Sequence, residues 1–374
     1  MKFIVPAVAA LAISTVCASP VEVPKDSMVM EARSMNSHFT NSDGHVDLHK
    51  LTQNIENRIA VLNKGSKEKR GQSTEVEATR TSTSLPWSVK AKLGGKDVWL
   101  WLDSGSGDLV IKKDSKYQPS KSSSAKDTGR DGYIPFKGGS VPKGEIWTEK
   151  FQLGDITLDN QDFLYSENNF DMDDDNDGIL GLTMKTALGS TTPMGNLLAK
   201  KLDQKLYQFN FHSDDDAKMV FGKVDKSQVS GDFTYVGNSM SGSNLFGFTG
   251  SVNGVTSNFA VDSGTSTIVL RADQADQFFQ KTSGVEKKQQ GQATYAVYDC
   301  DKDLGVQIQV GGKTMKLPKE FQAIGSVGNN KCLLSVNFHT NMYGNEGIMG
   351  NPFFRMNSVV VDFHRNQVGF APFN

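Results

Sequence analysis

From about Leu85 onward the chain is written in short apolar or alternating runs of strand length. Val98-Trp-Leu-Trp-Leu102, Tyr207-Gln-Phe-Asn-Phe211 and Val306-Gln-Ile-Gln-Val310 read as strands, and clusters of Gly, Asn, Asp and Ser separate such runs. Helical patterns are few: 193–201 and 272–281 are the two that stand out. Ser358-Val-Val-Val-Asp-Phe363 followed by Gln367-Val-Gly-Phe370 predicts a hairpin around Arg365-Asn366. The expected class is all-β with short helices.

The first 70 residues follow a different pattern. Lys2 precedes the apolar run Phe3 to Val16, and Val16-Cys17-Ala18 resembles a signal peptidase site, so residues 1–18 are expected to be a signal peptide. No later stretch reaches the roughly 18 apolar residues of a membrane span. Residues 19–70 are polar, lack Trp and Tyr, hold His38, His45 and His49, and end in Lys69-Arg70. In a secreted chain that dibasic pair reads as a processing site that frees Gly71, or else as a solvated charge cluster. The expected organisation is therefore a pro-segment over 19–70, followed by two lobes, 71–205 and 206–374.

Composition adds three constraints. The chain has 374 residues, a formal net charge of −2 and 37% hydrophobic residues, which suits one large or two medium domains. Beyond residue 70 there remain 31 basic and 35 acidic residues, a net of −4, which argues against a nucleic-acid partner. Of three cysteines, Cys17 leaves with the signal, so Cys300 and Cys332 remain as an even pair. They are expected to form one disulfide in an oxidising compartment, worth about 3 kcal/mol through loop closure.

The candidate chemistry lies in a repeat. Trp101-Leu-Asp103-Ser104-Gly105-Ser106 and Ala260-Val-Asp262-Ser263-Gly264-Thr265-Ser266 each end an apolar strand in Asp, a small hydroxyl residue, Gly and a second hydroxyl residue. One Asp-Ser-Gly is an ordinary turn. Two in matching context suggest a duplicated half-site that brings two carboxylates to one water. Further landmarks follow in order: Ile134–Gly144, Asp177-Gly-Ile-Leu-Gly-Leu182, Gly347-Ile-Met-Gly350 before Asn351-Pro-Phe-Phe, and Val361-Asp-Phe with Val368-Gly-Phe-Ala-Pro372. On these residues the chain, from about Leu85 to its end, resembles the pepsin-like aspartic proteases.

That resemblance implies a bilobal fold, two pseudo-symmetric β-barrel-like lobes about a cleft, with Cys300 and Cys332 paired in the second lobe. It makes Asp103 and Asp262 the catalytic dyad, with no metal and no cofactor. Ser104 and Ser263 are then expected to cross-link the two turns, Gly105 and Gly264 to let backbone N–H groups reach the carboxylates, and Ser106 and Thr265 to bond the outer carboxylate oxygens. Ile179-Leu-Gly181 and Ile348-Met-Gly350 are expected to pass beside the catalytic turns, Gly being required by close backbone approach. Two carboxylates about 4 Å apart repel by roughly 4 kcal/mol at an effective dielectric near 20. That separates their proton losses by about three pH units, so over an acid window the pair holds one proton and titrates as a unit. The ionised member takes a proton from water while the protonated member polarises the substrate carbonyl.

By the same resemblance Ile134–Gly144 is a flap over substrate, with Phe136, Lys137, Gly138, Gly139 and Ser140 at its tip. It departs from the family: Phe136 stands where Tyr is usual, and Val110 replaces the Trp to which that Tyr is bonded. Tyr133 has the wrong parity to substitute. Large hydrophobic side chains are expected on both sides of the cut bond, and Gly138 removes a carboxylate that some relatives use to recruit Lys. Expected partners are protein or peptide substrates and statine-type inhibitors, for a monomer that is secreted or held in the lumen of an acidic secretory or vacuolar compartment. Other signals are discounted. Asp171–Gly178 resembles a calcium loop, but Met184 sits where its last carboxylate belongs, so a solvated acidic loop is expected. Absence of His-Glu-x-x-His, Gly-x-Ser-x-Gly and a free thiol excludes zinc, serine and cysteine mechanisms. The competing reading is a pepsin-fold binding or inhibitor protein without activity.

Overall fold

The structure is a computed structural model that describes residues 28–33, 48, 52, 87–134, 141–168, 175–200, 202, 204–212, 217–240, 243, 245–340 and 346–374. The expected signal peptide, most of the pro-segment and the flap residues Phe136, Lys137, Gly138, Gly139 and Ser140 lie outside them.

Strands dominate. The first ten are β1 Met28–Arg33, β2 Ser88–Leu93, β3 Lys96–Asp103, β4 Leu109–Ile111, β5 Lys126–Tyr133, β6 Lys143–Leu153, β7 Ile156–Ser166, β8 Gly178–Gly181, β9 Leu206–Phe211 and β10 Ala217–Phe221. The next eight are β11 Thr234–Gly237, β12 Gly247–Val252, β13 Val255–Val261, β14 Ile268–Arg271, β15 Val285–Gln290, β16 Ala293–Asp299, β17 Gln307–Val310 and β18 Lys313–Lys316. The last five are β19 Ala323–Gly328, β20 Lys331–His339, β21 Glu346–Met349, β22 Asn357–Asp362 and β23 Gln367–Pro372. Helices are short: α1 Pro193–Lys200, α2 Ala275–Lys281, α3 Lys319–Gln322 and α4 Asn351–Met356. The second expected helix begins as a 3₁₀ turn at Ala272–Gln274.

Two sheets carry the chain. One runs β11-β23-β22-β9-β10-β1-β2-β3-β8-β4-β7-β6-β5, and β2 also pairs with β6, which curls this half on itself. The other runs β15-β16-β20-β14-β21-β13-β12-β17-β18, with β19 on β20. β22 and β23, from the end of the chain, lie in the first sheet. So does β1, between β2 and β10, although its sequence carries no strand signal beyond Met28-Val-Met.

The alternation in Tyr207–Phe211 marks a strand with no watered side. Tyr207, Phe209 and Phe211 join the apolar core, whereas Gln208 and Asn210 are equally buried on the other face. There Gln208 Nε2 donates to Asn210 Oδ1, Ser358 Oγ and the Asp225 carbonyl at 2.7–2.8 Å, so β9 buries most of its polar face by pairing it, with Asn210 Nδ2 left without a partner. The C-terminal hairpin forms as expected, β22 on β23, with Asn366 at φ 49° in its turn. Cys300 and Cys332 are joined in a disulfide.

Glu149 on β6 is a second buried polar centre, only 1% exposed. Its carboxylate accepts from Tyr117 Oη at 2.9 Å, Ser122 Oγ at 2.5 Å and the Lys150 N–H at 2.6 Å. Burial pushes its pKa up, but these hydrogen bonds outweigh burial and hold it below the ordinary 4.5. A depressed carboxylate contributes stability above its unfolded pKa and loses it as pH falls through the folded one. Glu149→Gln is therefore expected to cost about 1–3 kcal/mol at pH 6, with the gap to wild type closing below the carboxylate range. Thermal melts of both proteins across pH 3–6 measure this. A gap that does not change with pH would contradict it.

Candidate active site

β3 ends in Asp103 and β13 runs directly into Asp262, and both carboxylates are buried, at 0% and 1% exposure. Each is held by its own turn. The Gly105 N–H donates to Asp103 Oδ1 and the Gly264 N–H to Asp262 Oδ1, both at 3.0 Å. The turns are then tied to each other reciprocally. Ser263 N–H donates to Ser104 Oγ at 2.9 Å, and Ser104 N–H to Ser263 Oγ at 3.1 Å. Ser104 Oγ donates across to the Val261 carbonyl, and Ser263 Oγ to the Leu102 carbonyl. Four hydrogen bonds thus lock two segments about 160 residues apart in one geometry.

Contact between the halves is close. A Cβ on Gly105 would lie 2.9–3.1 Å from the carboxylate atoms of Asp262, so Asp262 packs on the bare Cα of the opposite turn. The flanking strands need their glycines for the same reason. A Cβ on Gly181 would fall 2.4 Å from the Gly107 carbonyl carbon, and one on Gly350 2.3 Å from the Thr267 oxygen. These strands pair in parallel with the ones that lead into the two carboxylates, β8 with β3 and β21 with β13.

The hydroxyl residues after each Gly are not equivalent. Thr265 Oγ1 donates to Asp262 Oδ2 at 2.6 Å. Ser106 Oγ, expected on Asp103, is buried without a hydrogen-bond partner. Thr carries a methyl that restricts its χ1, whereas Ser turns freely, so the Ser106 hydroxyl is not held toward the carboxylate by its own sterics.

Asp177 also corrects an expectation. It is 4% exposed, and its oxygens accept the N–H groups of Trp99 and Lys116, both at 2.9 Å. It braces β3 from behind and is not part of a solvated loop; Asp171 to Asp174 lie outside the described residues. Asp108 is a brace that the motif reading passed over: buried, it accepts from Thr186 Oγ1 and, at 2.7 Å, from the Ala187 N–H. The polar Asp immediately after an otherwise small-residue motif was the available signal.

The loop of the expected flap has a regular stem. β5 and β6 pair through Tyr133 and Lys143, and the Ile134 N–H donates to the Pro142 carbonyl at 2.9 Å. Tyr133 is 61% exposed, in keeping with its parity. Near the two carboxylates lies Tyr207, whose phenol is pushed far above its ordinary range by burial and then by the charges of Asp103 and Asp262. Among the described residues no group of three or more His, Cys, Asp or Glu is placed to hold a metal ion, and no helix is long and apolar enough to cross a membrane.

A family model for eukaryotic aspartyl proteases matches residues 87–373, the span that contains both carboxylate turns and both glycine strands. The chain belongs to that family. Among its relatives, a Malassezia globosa protein described as "Probable inactive secreted aspartyl protease" is 32% identical over 83% of this chain and 84% of its own. Penicillopepsin-1 of Penicillium janthinellum is 26% identical over 79% of this chain and 97% of its own. The solved aspartic proteinase of Irpex lacteus shares the fold, with a TM-score of 0.65 at 19% identity, covering 78% of this chain and 95% of its own. For this eukaryotic aspartyl protease the strand-rich architecture and the barrel-like closure of β2 on β6 are those of the pepsin-like fold.

Proposed function

We propose that this aspartyl protease is a secreted endopeptidase that cuts peptide bonds at acid pH, with Asp103 and Asp262 as the dyad. The observation that carries the reading is the reciprocal locking of two buried carboxylate turns, with Asp262 seated on Gly105. Holding two carboxylates together and out of water is costly. Here the cost is met by one N–H to each inner oxygen and by the Thr265 hydroxyl. Such a pair retains one proton through an acid window, and in that state one carboxylate activates water while the other donates to the substrate carbonyl. No covalent enzyme intermediate is needed. Gly105, Gly264, Ser104 and Ser263 fix the geometry, and Thr265 orients Asp262. The flap residues 136–140 close over the peptide in this reading, residues 1–18 direct secretion, and 19–70 form a removable pro-segment ahead of lobes 71–205 and 206–374. Leu48 and Thr52, from within 19–70, pack against the second lobe, as a pro-segment should.

The second reading, a pepsin-fold protein without activity, is favoured by the unpartnered Ser106 and by the likeness to the probable inactive Malassezia globosa protein. Digestion of denatured haemoglobin at pH 3–4, with and without a statine-type inhibitor, separates them. Cleavage that the inhibitor blocks is expected. Intact haemoglobin after exposure to correctly processed protein selects the second reading.

A further inference from the structure

Beyond the Ser106–Thr265 asymmetry, the two half-sites share one construction and differ at a further position on the strand before each Asp. On β3 the residues Leu100 and Leu102 enter the main core, and Trp101, between them, belongs to a separate buried cluster on the opposite face, the one Asp103 shares by strand parity. Its register partner is Ile179 on β8, which also pairs with Val110 on β4. In the second half Phe259 and Val261 enter the main core, and Ala260 takes the other face, two residues before Asp262. Its partner is Ile348 on β21, which also pairs with Val269 on β14. Ile179 therefore matches Ile348, Val110 matches Val269, and Trp101 matches Ala260. An indole stands on one side of the dyad where a methyl stands on the other.

The cluster that holds the small residue is also covered by a different part of the chain. Leu48 packs against the cluster containing Ala260 and Ile348. Thr52, 5% exposed, donates to the Leu48 carbonyl at 2.7 Å and receives a hydrogen bond from Tyr295 Oη at 2.6 Å. Both residues precede Lys69-Arg70, so processing there would release this cover. Trp101 is part of β3 and cannot leave.

We propose that the two sides of the dyad accept side chains of different size, with Trp101 as the specificity-determining residue. The Asp262 side takes a bulky aliphatic side chain into the place that Leu48 holds. The Asp103 side admits only a small one, because an aromatic side chain that buries roughly 150–250 Å² already occupies the equivalent place. Distances allow this. Residues two apart on a strand are about 6.6 Å apart, and an extended peptide advances about 3.3–3.6 Å per residue. With the cut carbonyl at the dyad, the side chains on either side of it fall over the two clusters. This narrows the expectation of large hydrophobic residues on both sides, and it rests on the dyad being a peptide-binding site.

The test uses processed protein and hexapeptides whose central bond is a reduced, uncleavable amide, with Ala, Leu or Phe on one side or the other. Binding is read by calorimetry. On one side Leu is expected to bind at least tenfold tighter than Ala, and on the other Ala at least tenfold tighter than Phe. Trp101→Leu should bring the second discrimination within threefold and leave the first unchanged. Ala260→Leu should erode the first alone. Equal preference for bulky residues on both sides in wild type, an unchanged ladder in Trp101→Leu, or no binding of any peptide overturns the proposal. If Trp101→Leu does not fold, the wild-type ladder and Ala260→Leu decide. Haemoglobin digestion is scored separately, so an asymmetric ladder without digestion retires the activity and leaves the subsite assignment standing.

Discussion

An Asp103→Asn protein is expected to fold as wild type and to cut substrate at least 10²–10⁴-fold more slowly, the usual contribution of a positioned acid or base. Asn keeps the shape and an oxygen that can accept the Gly105 N–H, so the bond at 3.0 Å survives. The Ser104–Ser263 lock does not use the carboxylate and is unaffected. What disappears is one ionisable group of two. Losing it removes the repulsion between apposed carboxylates, so at neutral pH the variant should melt no lower than wild type. Asp262→Asn should behave alike, although there an amide nitrogen turned toward Thr265 Oγ1 would break a 2.6 Å bond. Activity and melting temperature measured on the same preparations check this. Residual activity within tenfold of wild type would show that the chemistry does not run through the pair.

The second large effect is structural. Gly350→Ala is expected to cost about 3 kcal/mol or more and to remove activity with it. The new methyl would lie 2.3 Å from the Thr267 oxygen and 2.4 Å from the Thr265 oxygen, both backbone atoms that cannot swing aside. The Thr265 carbonyl also accepts the Asn351 N–H at 2.9 Å, and the Thr265 hydroxyl holds Asp262, so any shift passes straight to the Asp262 carboxylate. Gly181→Ala is the twin, its methyl meeting the Gly107–Asp108 peptide. Gly237→Ala is the control: nothing lies within 4 Å of its added carbon, and its change in stability should stay within about 0.5 kcal/mol. Urea unfolding of the three variants distinguishes close approach from a general cost of replacing Gly in a strand. Equal destabilisation by all three would defeat this account.

The chain displayed its fold openly wherever one element carries its own pattern. Val98–Leu102 and the C-terminal hairpin are legible because each has strand periodicity bounded by turn residues. The pair of carboxylate turns was legible because it is written twice. Less visible were features that depend on which strand lies beside which. The burial of Gln208 and Asn210 looks like a solvent face in one dimension, and only pairing with Ser358, about 150 residues away, makes it a core. Asp177 reads as one of a run of acids, yet two backbone N–H groups from distant segments make it a brace. Ser106 and Thr265 look equivalent by spacing, but one methyl separates a bonded hydroxyl from an unpartnered one. Trp101 is a strand residue among others until its register against Ile179 makes it the counterpart of Ala260, whose partner is Ile348.

The central claim is a proton shared by two carboxylates, and the pH dependence of kcat/KM for haemoglobin-derived peptides tests it most directly. Two ionisations on the acid side of neutrality should bound a bell whose summit has the pair singly protonated. Removing either carboxylate should abolish the bell rather than shift it. A rate that rises through pH 7, or a single ionisation with a flat acid limb, would mean that the two groups do not share a proton.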